Sequence, residues 1–382
     1  MKKIGILLIV VLSITMANAQ KAKRTSAFNY LKNGQLDKAK DNIDPCITNE
    51  ATALDPKTWF YRGNIYLQIH TSPLPAYKNL APNALQIAYE SYKKALELDT
   101  KKEYYSEIIN NMMAVSEQFF NKGVEYYNNS AFSDAQKQFE EAINVNKTYG
   151  NTDTLSYFSA ALCSELGGNI DKAIEYYQFL RSIKYKKPMI YSSLANLYMK
   201  KNNPDEGLAV IKDGKELFQN DFDLIIAETN IYLGTNQNAK AKKNLKVAIE
   251  KDPNNSTIWF AYGTIYDTEH NIDSAEIAYK KAIELKPDYF DPIYNIGALY
   301  VNKASEILEA ANKLPFEETQ KYEAEKIKAD SFLRMSIPYL EKALEMQPND
   351  KNTLISLKEI YTRLQIYDKL KVINAKIEEI KK

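Results

Sequence analysis

Large and small apolar residues recur along this chain at a fixed spacing. The unit is clearest in residues 256–289, where they fall on one face of each of two helical segments. In order, these side chains are Trp259, Gly263, Tyr266, Ala275, Tyr279 and Ala282. Pro287 follows them and ends the second segment, because proline cannot continue a helix. The pattern predicts two antiparallel helices in which bulky side chains pack against small ones.

The same pattern continues on both sides of this stretch. Position 20 of the unit holds a small residue in eight successive copies: Ala39, Ala88, Ala135, Ala173, Gly207, Ala241, Ala275 and Ser336. Position 11 holds tyrosine in eight of nine copies, at Tyr30, Tyr66, Tyr126, Tyr198, Tyr232, Tyr266, Tyr300 and Tyr361. Two helices approach closely only where a side chain is nearly absent, so we expect the small residues at helix contacts and the tyrosines as wedges between helices.

The unit resembles the tetratricopeptide repeat, a helix-turn-helix motif with a period of about 34 residues. The resemblance implies an all-α fold over residues 20–382, an α-solenoid of about nine repeats wound into a right-handed superhelix. The predicted repeats lie near residues 22–55, 56–100, 116–149, 154–187, 188–220, 222–254, 256–289, 290–349 and 351–382.

Three insertions interrupt the period, at residues 68–83, 101–115 and 302–331. The first contains three prolines and is predicted to be an irregular loop that includes His70. The second has apolar residues at helical spacing and is predicted to lengthen the next helix. The third is charged, breaks at Pro315, and is predicted to form a helical hairpin. Helix starts are predicted from capping residues at Ser133, Asn203 and Asp273.

The resemblance also implies where a partner binds, since the first helices of such repeats line a concave groove. Position 5 of these helices carries an aromatic row: Phe60, Phe120, Phe158, Phe260 and Tyr294. Position 9 carries the amides of Asn64, Asn196 and Asn230, and position 12 adds Tyr127. Aromatic anchors with spaced amides suit a peptide or protein partner. The same residue types are also common in the repeat itself, so an inherited packing role stays open.

Residues 1–19 are typical of a cleaved signal peptide. Lys2 and Lys3 precede an apolar run over residues 4–14, and Ala17-Asn18-Ala19 forms a small-residue cleavage site. We therefore expect an exported protein, periplasmic or secreted, without a lipid-modified cysteine. No later run of 18 apolar residues occurs, so no membrane-spanning segment is expected in the mature chain.

Composition narrows the function classes. The chain has 50 basic and 49 acidic residues and no basic stripe, which argues against nucleic acid as a partner. It has two histidines, two cysteines and no recognisable catalytic or phosphate-binding motif, so no cofactor, metal site or enzymatic activity is expected. Cys46 and Cys163 are expected to be buried thiols.

The sequence favours a non-catalytic scaffold or adaptor of the cell envelope. Carbohydrate binding by the aromatic groove, and an enzyme built from the insertions, remain as alternatives.

Overall fold

The computed structural model describes residues 19–219 and 221–380. The predicted signal peptide, residues 1–19, lies outside this part of the chain except for Ala19. All regular structure in the described residues is helical, as expected for the all-α class. None of the helices in these ranges is long and apolar enough to cross a membrane.

The chain divides into two compact units between Ile190 and Tyr191, called here the N-terminal and C-terminal units. The N-terminal unit contains α1 (19–32), α2 (Leu36–Ile43), a 3₁₀ helix (Asp44–Ile47), α3 (Glu50–Ala53), α4 (Pro56–Thr71), α5 (Pro75–Lys78), α6 (Ala84–Leu98), α7 (Tyr105–Asn128), α8 (Phe132–Thr148), α9 (Thr154–Leu166) and α10 (Ile170–Ser182). Helix α11 (Pro188–Lys200) contains the division. The C-terminal unit continues with α12 (Pro204–Leu217), α13 (Phe222–Gly234), α14 (Asn238–Lys251), α15 (Ser256–Thr268), α16 (Ile272–Leu285), α17 (Phe290–Ala311), α18 (Thr319–Met346), α19 (Lys351–Arg363) and α20 (Tyr367–Ile380).

Glycines in first helices make room for large side chains of second helices. A Cβ atom added to Gly63 would lie 2.5 Å from Cε1 of Tyr92, and one added to Gly263 would lie 2.6 Å from Cδ1 of Tyr279. Gly123 has the same relation to Phe139. The small residues at position 20 are also buried, as predicted. Close packing of large against small side chains therefore sets the distance between the two helices of a pair.

The prediction for the tyrosines at position 11 was only partly right. Tyr66, Tyr300 and Tyr361 are buried, but the other five are only half-buried. The fully buried rings of second helices are instead Tyr92, Tyr177 and Tyr279. Position 11 lies near the end of a first helix, where the ring reaches the helix surface and its hydroxyl meets a polar group. Tyr66, for example, donates a hydrogen bond to Asp44 at 2.8 Å.

Two predicted helix starts were wrong. Helix α16 is capped by Asn271, which accepts a hydrogen bond from the backbone of Ser274, and Asp273 lies inside its first turn. Helix α8 starts at Phe132, and no side chain caps it, so Ser133 is not a cap. In both cases a left-handed residue, His270 or Ser130, closes the preceding helix and shortens the turn. The third start was right: Asn203 caps α12 and is followed by Pro204.

The first insertion is more helical than expected, and the second lengthens α7 as predicted. Residues 68–71 complete α4 and residues 75–78 form α5, so the prediction of an irregular loop was wrong for these parts. Proline at the first position of α5 allows this short helix, because its missing N–H group is not needed there. Residues 105–115 belong to α7, and α17 and α18 pack against each other. Helix α18 continues through Pro338.

Candidate partner-binding faces

In the N-terminal unit, Phe60 is half-buried within a group of rings. Its ring centroid lies 5.3 Å from that of Tyr104, 6.0 Å from that of Tyr61 and 6.5 Å from that of Tyr92. Tyr104 precedes α7, so it belongs to the next helix pair. One side of Phe60 therefore packs between two helix pairs, and only the remaining part of the ring is accessible to a partner.

Asn64 is part of an internal hydrogen-bond network. Its carbonyl oxygen accepts hydrogen bonds from the Tyr92 hydroxyl at 2.7 Å and from the Asn111 amide at 2.9 Å. In the part of the chain that the structure describes, no acceptor pairs with the amide nitrogen of Asn64. The oxygen of Asn64 therefore stabilises the packing of its own helix pair. Only the amide N–H groups are available to bind a peptide carbonyl.

The remaining predicted residues of this unit differ in accessibility. Phe120 is half-buried against Phe139, with 5.1 Å between ring centroids. Tyr127 is 37% exposed and meets Phe132 edge-on. Phe158 is buried, and the ammonium group of Lys187 lies 3.6 Å from its ring centroid. The expectation of an accessible anchor is therefore wrong for Phe158, because a lysine from the following segment covers the ring.

A second aromatic group in this unit was not predicted. The rings of Phe28 and Tyr61 stack with centroids 4.5 Å apart and an angle of 12° between their planes. Lys32 lies over Phe28 at 4.5 Å, and Lys57 lies over Tyr61 at 5.6 Å. Phe28 stands at position 9 of the first repeat, where three other repeats have asparagine, so a comparison of that position along the chain could have found it.

In the C-terminal unit, Phe260 repeats the environment of Phe60. Its centroid lies 5.8 Å from that of Tyr279 and 5.3 Å from that of Tyr289. Tyr294 stacks on Phe290 at 6.0 Å, and burial together with the nearby Asp350 raises the pKa of its hydroxyl. Within the described residues of this unit, no ring contact joins Phe260 to Tyr294.

The two predicted amides of the C-terminal unit differ from Asn64 in their hydrogen bonding. Asn230 is exposed and Asn196 is half-buried. No hydrogen bond to another described residue occupies either side chain. Both therefore retain donors and acceptors that a peptide backbone could use.

His270 and the two cysteines lie in contrasting environments. His270 holds the left-handed turn before α16, and its side chain is 85% exposed. Cys46 and Cys163 are free and buried, as predicted, and burial raises the pKa of the Cys163 thiol to about 11. A buried thiol with a raised pKa is a poor nucleophile. No cluster of three or more potential metal ligands occurs among the described residues.

Comparison with known proteins gives matches of limited extent. The family model for the tetratricopeptide repeat matches residues 256–289. The human protein O-mannosyl-transferase TMTC1 is 24% identical over 218 residues, which are 56% of this chain and 22% of that protein. This chain therefore spans about a fifth of the length of that relative.

Two solved structures align with part of this chain. MamA from Desulfovibrio magneticus RS-1 aligns with a TM-score of 0.41 and 14% identity over 52% of this chain and 97% of that chain. The tetratricopeptide repeat protein YrrB aligns with a TM-score of 0.41 and 20% identity over 58% of this chain and 97% of that chain.

The matched stretch is the same one in which the repeat is clearest, and its helix pair, α15 and α16, has counterparts along the chain. Gly263 and Tyr279 in this pair correspond to Gly63 and Tyr92 in the pair of α4 and α6. The small residue at position 20 is likewise buried from the first repeat onward. Residues 256–289 match the tetratricopeptide repeat family, and other helix pairs of the chain resemble this repeat in their packing.

Proposed function

We propose that this protein is a non-catalytic scaffold or adaptor of the cell envelope that binds a peptide or protein along the first helices of its repeats. Tetratricopeptide repeats are typical of protein–protein interaction scaffolds, and stacked repeats offer extended binding surfaces. The observation that carries the proposal is the stack of Phe28 and Tyr61 between Lys32 and Lys57.

This stack combines two features of a protein-binding hot spot. Aromatic rings contribute a large apolar contact area, and the flanking ammonium groups can pair with carboxylates at the edge of an interface. Both rings are half-buried, so they are held in place and still present a surface. Phe60, Phe120 and Tyr127 extend the aromatic character along α4 and α7, and Asn230 and Asn196 supply accessible amides in the C-terminal unit.

The absence of catalysis is part of the proposal. No group of three or more histidine, cysteine, aspartate or glutamate side chains in the described residues could hold a metal ion, and both cysteines are free and buried. The relative TMTC1 is named a transferase, but the similarity covers 22% of that protein, so its activity is not assigned to this chain.

Location in the envelope is supported by the sequence of residues 1–19 alone. We expect the exported protein to begin at Gln20, which intact mass measurement of the protein recovered from the envelope or the medium would test. Retention of Met1 in that protein would contradict this part of the proposal.

The binding function is tested with a photo-crosslinking amino acid at Tyr127, followed by affinity measurement with the captured partner. The double variant Phe28→Ser/Tyr61→Ser should weaken binding by about 30-fold, the effect of losing about 2 kcal/mol at a hot spot. Ile183→Ser and Ile277→Ser are matched controls, because they change exposed apolar residues at the end of α10 and on α16. They should change affinity less than twofold.

Equal affinity of the double variant and the wild type, at equal helix content by circular dichroism, would overturn the role of the aromatic stack. Saturable binding of an envelope glycan without any protein partner would overturn the whole proposal in favour of carbohydrate binding.

A further inference from the structure

Residues 72–83 join α4 to α6 and border an open cavity next to α7, where Lys78, Asn121 and Glu125 are exposed. The cavity has a volume of about 600 Å³. Three parts of the N-terminal unit contribute to its wall: the end of α4, the inserted segment with α5, and the C-terminal half of α7. The polar residues of its lining are His70, Thr71, Lys78, Gln118, Asn121, Lys122 and Glu125.

The lining has an excess of positive charge. Lys78 and Lys122 both face the cavity, and neither forms an ion pair with another residue that the structure describes. Glu125 is the one carboxylate in the lining. The carbonyl end of α4 at Thr71 adds about half a negative charge. Two full positive charges outweigh these contributions.

The same excess of positive charge affects the pKa of His70. The imidazole is half-buried in the last turn of α4. Burial lowers its pKa, and the positive charges of Lys122 and Lys78 lower the pKa further. The ammonium groups of Lys78 and Lys122 come from different parts of the chain, and both disfavour the charged form of the His70 ring. A bound anion would relieve the repulsion among these positive charges.

Hydrogen-bond donors are available at the same place. The side-chain amides of Gln118 and Asn121 lie one turn apart on α7 and have no hydrogen-bonding partner in the described part of the chain. His70 can donate from its ring in either protonation state. Ammonium, amide and imidazole donors around a small polar cavity are the groups that bind an oxyanion.

We propose that this cavity binds a small oxyanion, a phosphate or carboxylate group, held by Lys78 and Lys122 and oriented by the amides of Gln118 and Asn121. The site is distinct from the aromatic faces to which we assign partner binding. It explains the inserted segment, which the packing of α4 against α6 does not need, since α15 and α16 pack in the same way with a short turn.

The histidine signals in NMR spectra provide a direct test, because the chain has only two histidines. The full mature protein, labelled with ¹⁵N-histidine, is titrated with sodium phosphate and separately with sodium acetate, at constant ionic strength maintained with sodium chloride. A bound anion favours the imidazolium form, so saturation should raise the pKa of His70. His270 does not line the cavity and should show no saturable change. The phosphate and acetate arms separate the two oxyanion classes.

The variant Lys78→Gln/Lys122→Gln should weaken binding of the effective anion at least tenfold. The control Lys93→Gln/Lys186→Gln removes the same charge from exposed positions outside the cavity and should leave affinity unchanged. Glu125→Gln keeps both lysines and should tighten binding several-fold, so it tests the proposal even if the double lysine variant does not fold. The proposal is overturned if neither anion gives a saturable shift of His70 up to about 20 mM, or if Glu125→Gln leaves the affinity unchanged.

Discussion

The helix pair α4–α6 of the N-terminal unit and the pair α15–α16 of the C-terminal unit share their packing residue by residue. Each has a glycine against a tyrosine ring, Gly63 with Tyr92 and Gly263 with Tyr279. Each first helix also carries a tryptophan whose indole N–H donates to the backbone carbonyl six residues earlier, at 2.7 Å for Trp59 and 2.8 Å for Trp259. The aromatic neighbours are equivalent as well, since Phe60 and Phe260 each lie 5.3 Å from a tyrosine that follows the pair.

The two pairs differ in their polar groups and connections. The Tyr92 hydroxyl donates to Asn64 at 2.7 Å, whereas the Tyr279 hydroxyl lies 3.3 Å from Asp267 and 3.5 Å from Thr264. The first pair is joined by residues 72–83 and the second by the short turn over 269–271. Contact between the two helices thus constrains the size and shape of the side chains at the shared positions. The polar side chains and the connecting segments are not constrained in this way and can differ between pairs to suit a partner.

The largest expected effect comes from removing the shared tyrosines. Tyr92→Ala and Tyr279→Ala should each lower the free energy of unfolding of their helix pair by about 3–5 kcal/mol, because both rings are fully buried. The two tryptophans allow each pair to be followed separately. Urea unfolding by fluorescence in a Trp259→Phe background reports α4–α6, and a Trp59→Phe background reports α15–α16. Losses that differ by more than about 2 kcal/mol would show that the packing is not equivalent.

A smaller effect is expected from adding one methyl group to the glycines. Gly63→Ala and Gly263→Ala should each cost about 1–3 kcal/mol, because the new Cβ would overlap a buried ring that has no space to move. Gly234→Ala is the control: its Cβ would meet the flexible end of Met199 at 2.8 Å, and alanine favours a helix. We expect the control to be neutral or stabilising when urea unfolding is followed by circular dichroism, because Gly234 lies in α13, which contains no tryptophan. A neutral Gly63→Ala variant would contradict the tight fit.

The shared features are those that the sequence predicts well. Large and small residues at helical spacing predict the pairs because matching side-chain volumes is a local requirement of two adjacent helices. The buried residues at position 20 and the capping role of Asn203 follow from the same local rules.

The features that differ between the pairs depend on residues far apart in sequence. Asn111, which occupies the oxygen of Asn64, is 47 residues away along the chain. The lysine that covers Phe158 comes after α10, and the cavity at His70 requires the inserted segment to fold against α7. Periodicity contains no information on these contacts, since they depend on how one helix pair is placed on the next.

The smallest expected effect comes from substitutions at Asn64, which distinguish a role in packing from a role in partner binding. Asn64→Ala leaves the buried Tyr92 hydroxyl and the Asn111 amide without their acceptor, so it should lower the free energy of unfolding of α4–α6 by about 1 kcal/mol. Thr264→Ala leaves Asp267 as a partner of Tyr279, so its cost should stay within about 0.5 kcal/mol.

Asn64→Asp keeps an acceptor for both donors but lacks the amide N–H groups. If those groups bind a partner, this variant should retain stability in the fluorescence assay and lose affinity for the captured partner. Retention of both stability and affinity would assign Asn64 to packing alone, like the asparagine network around it.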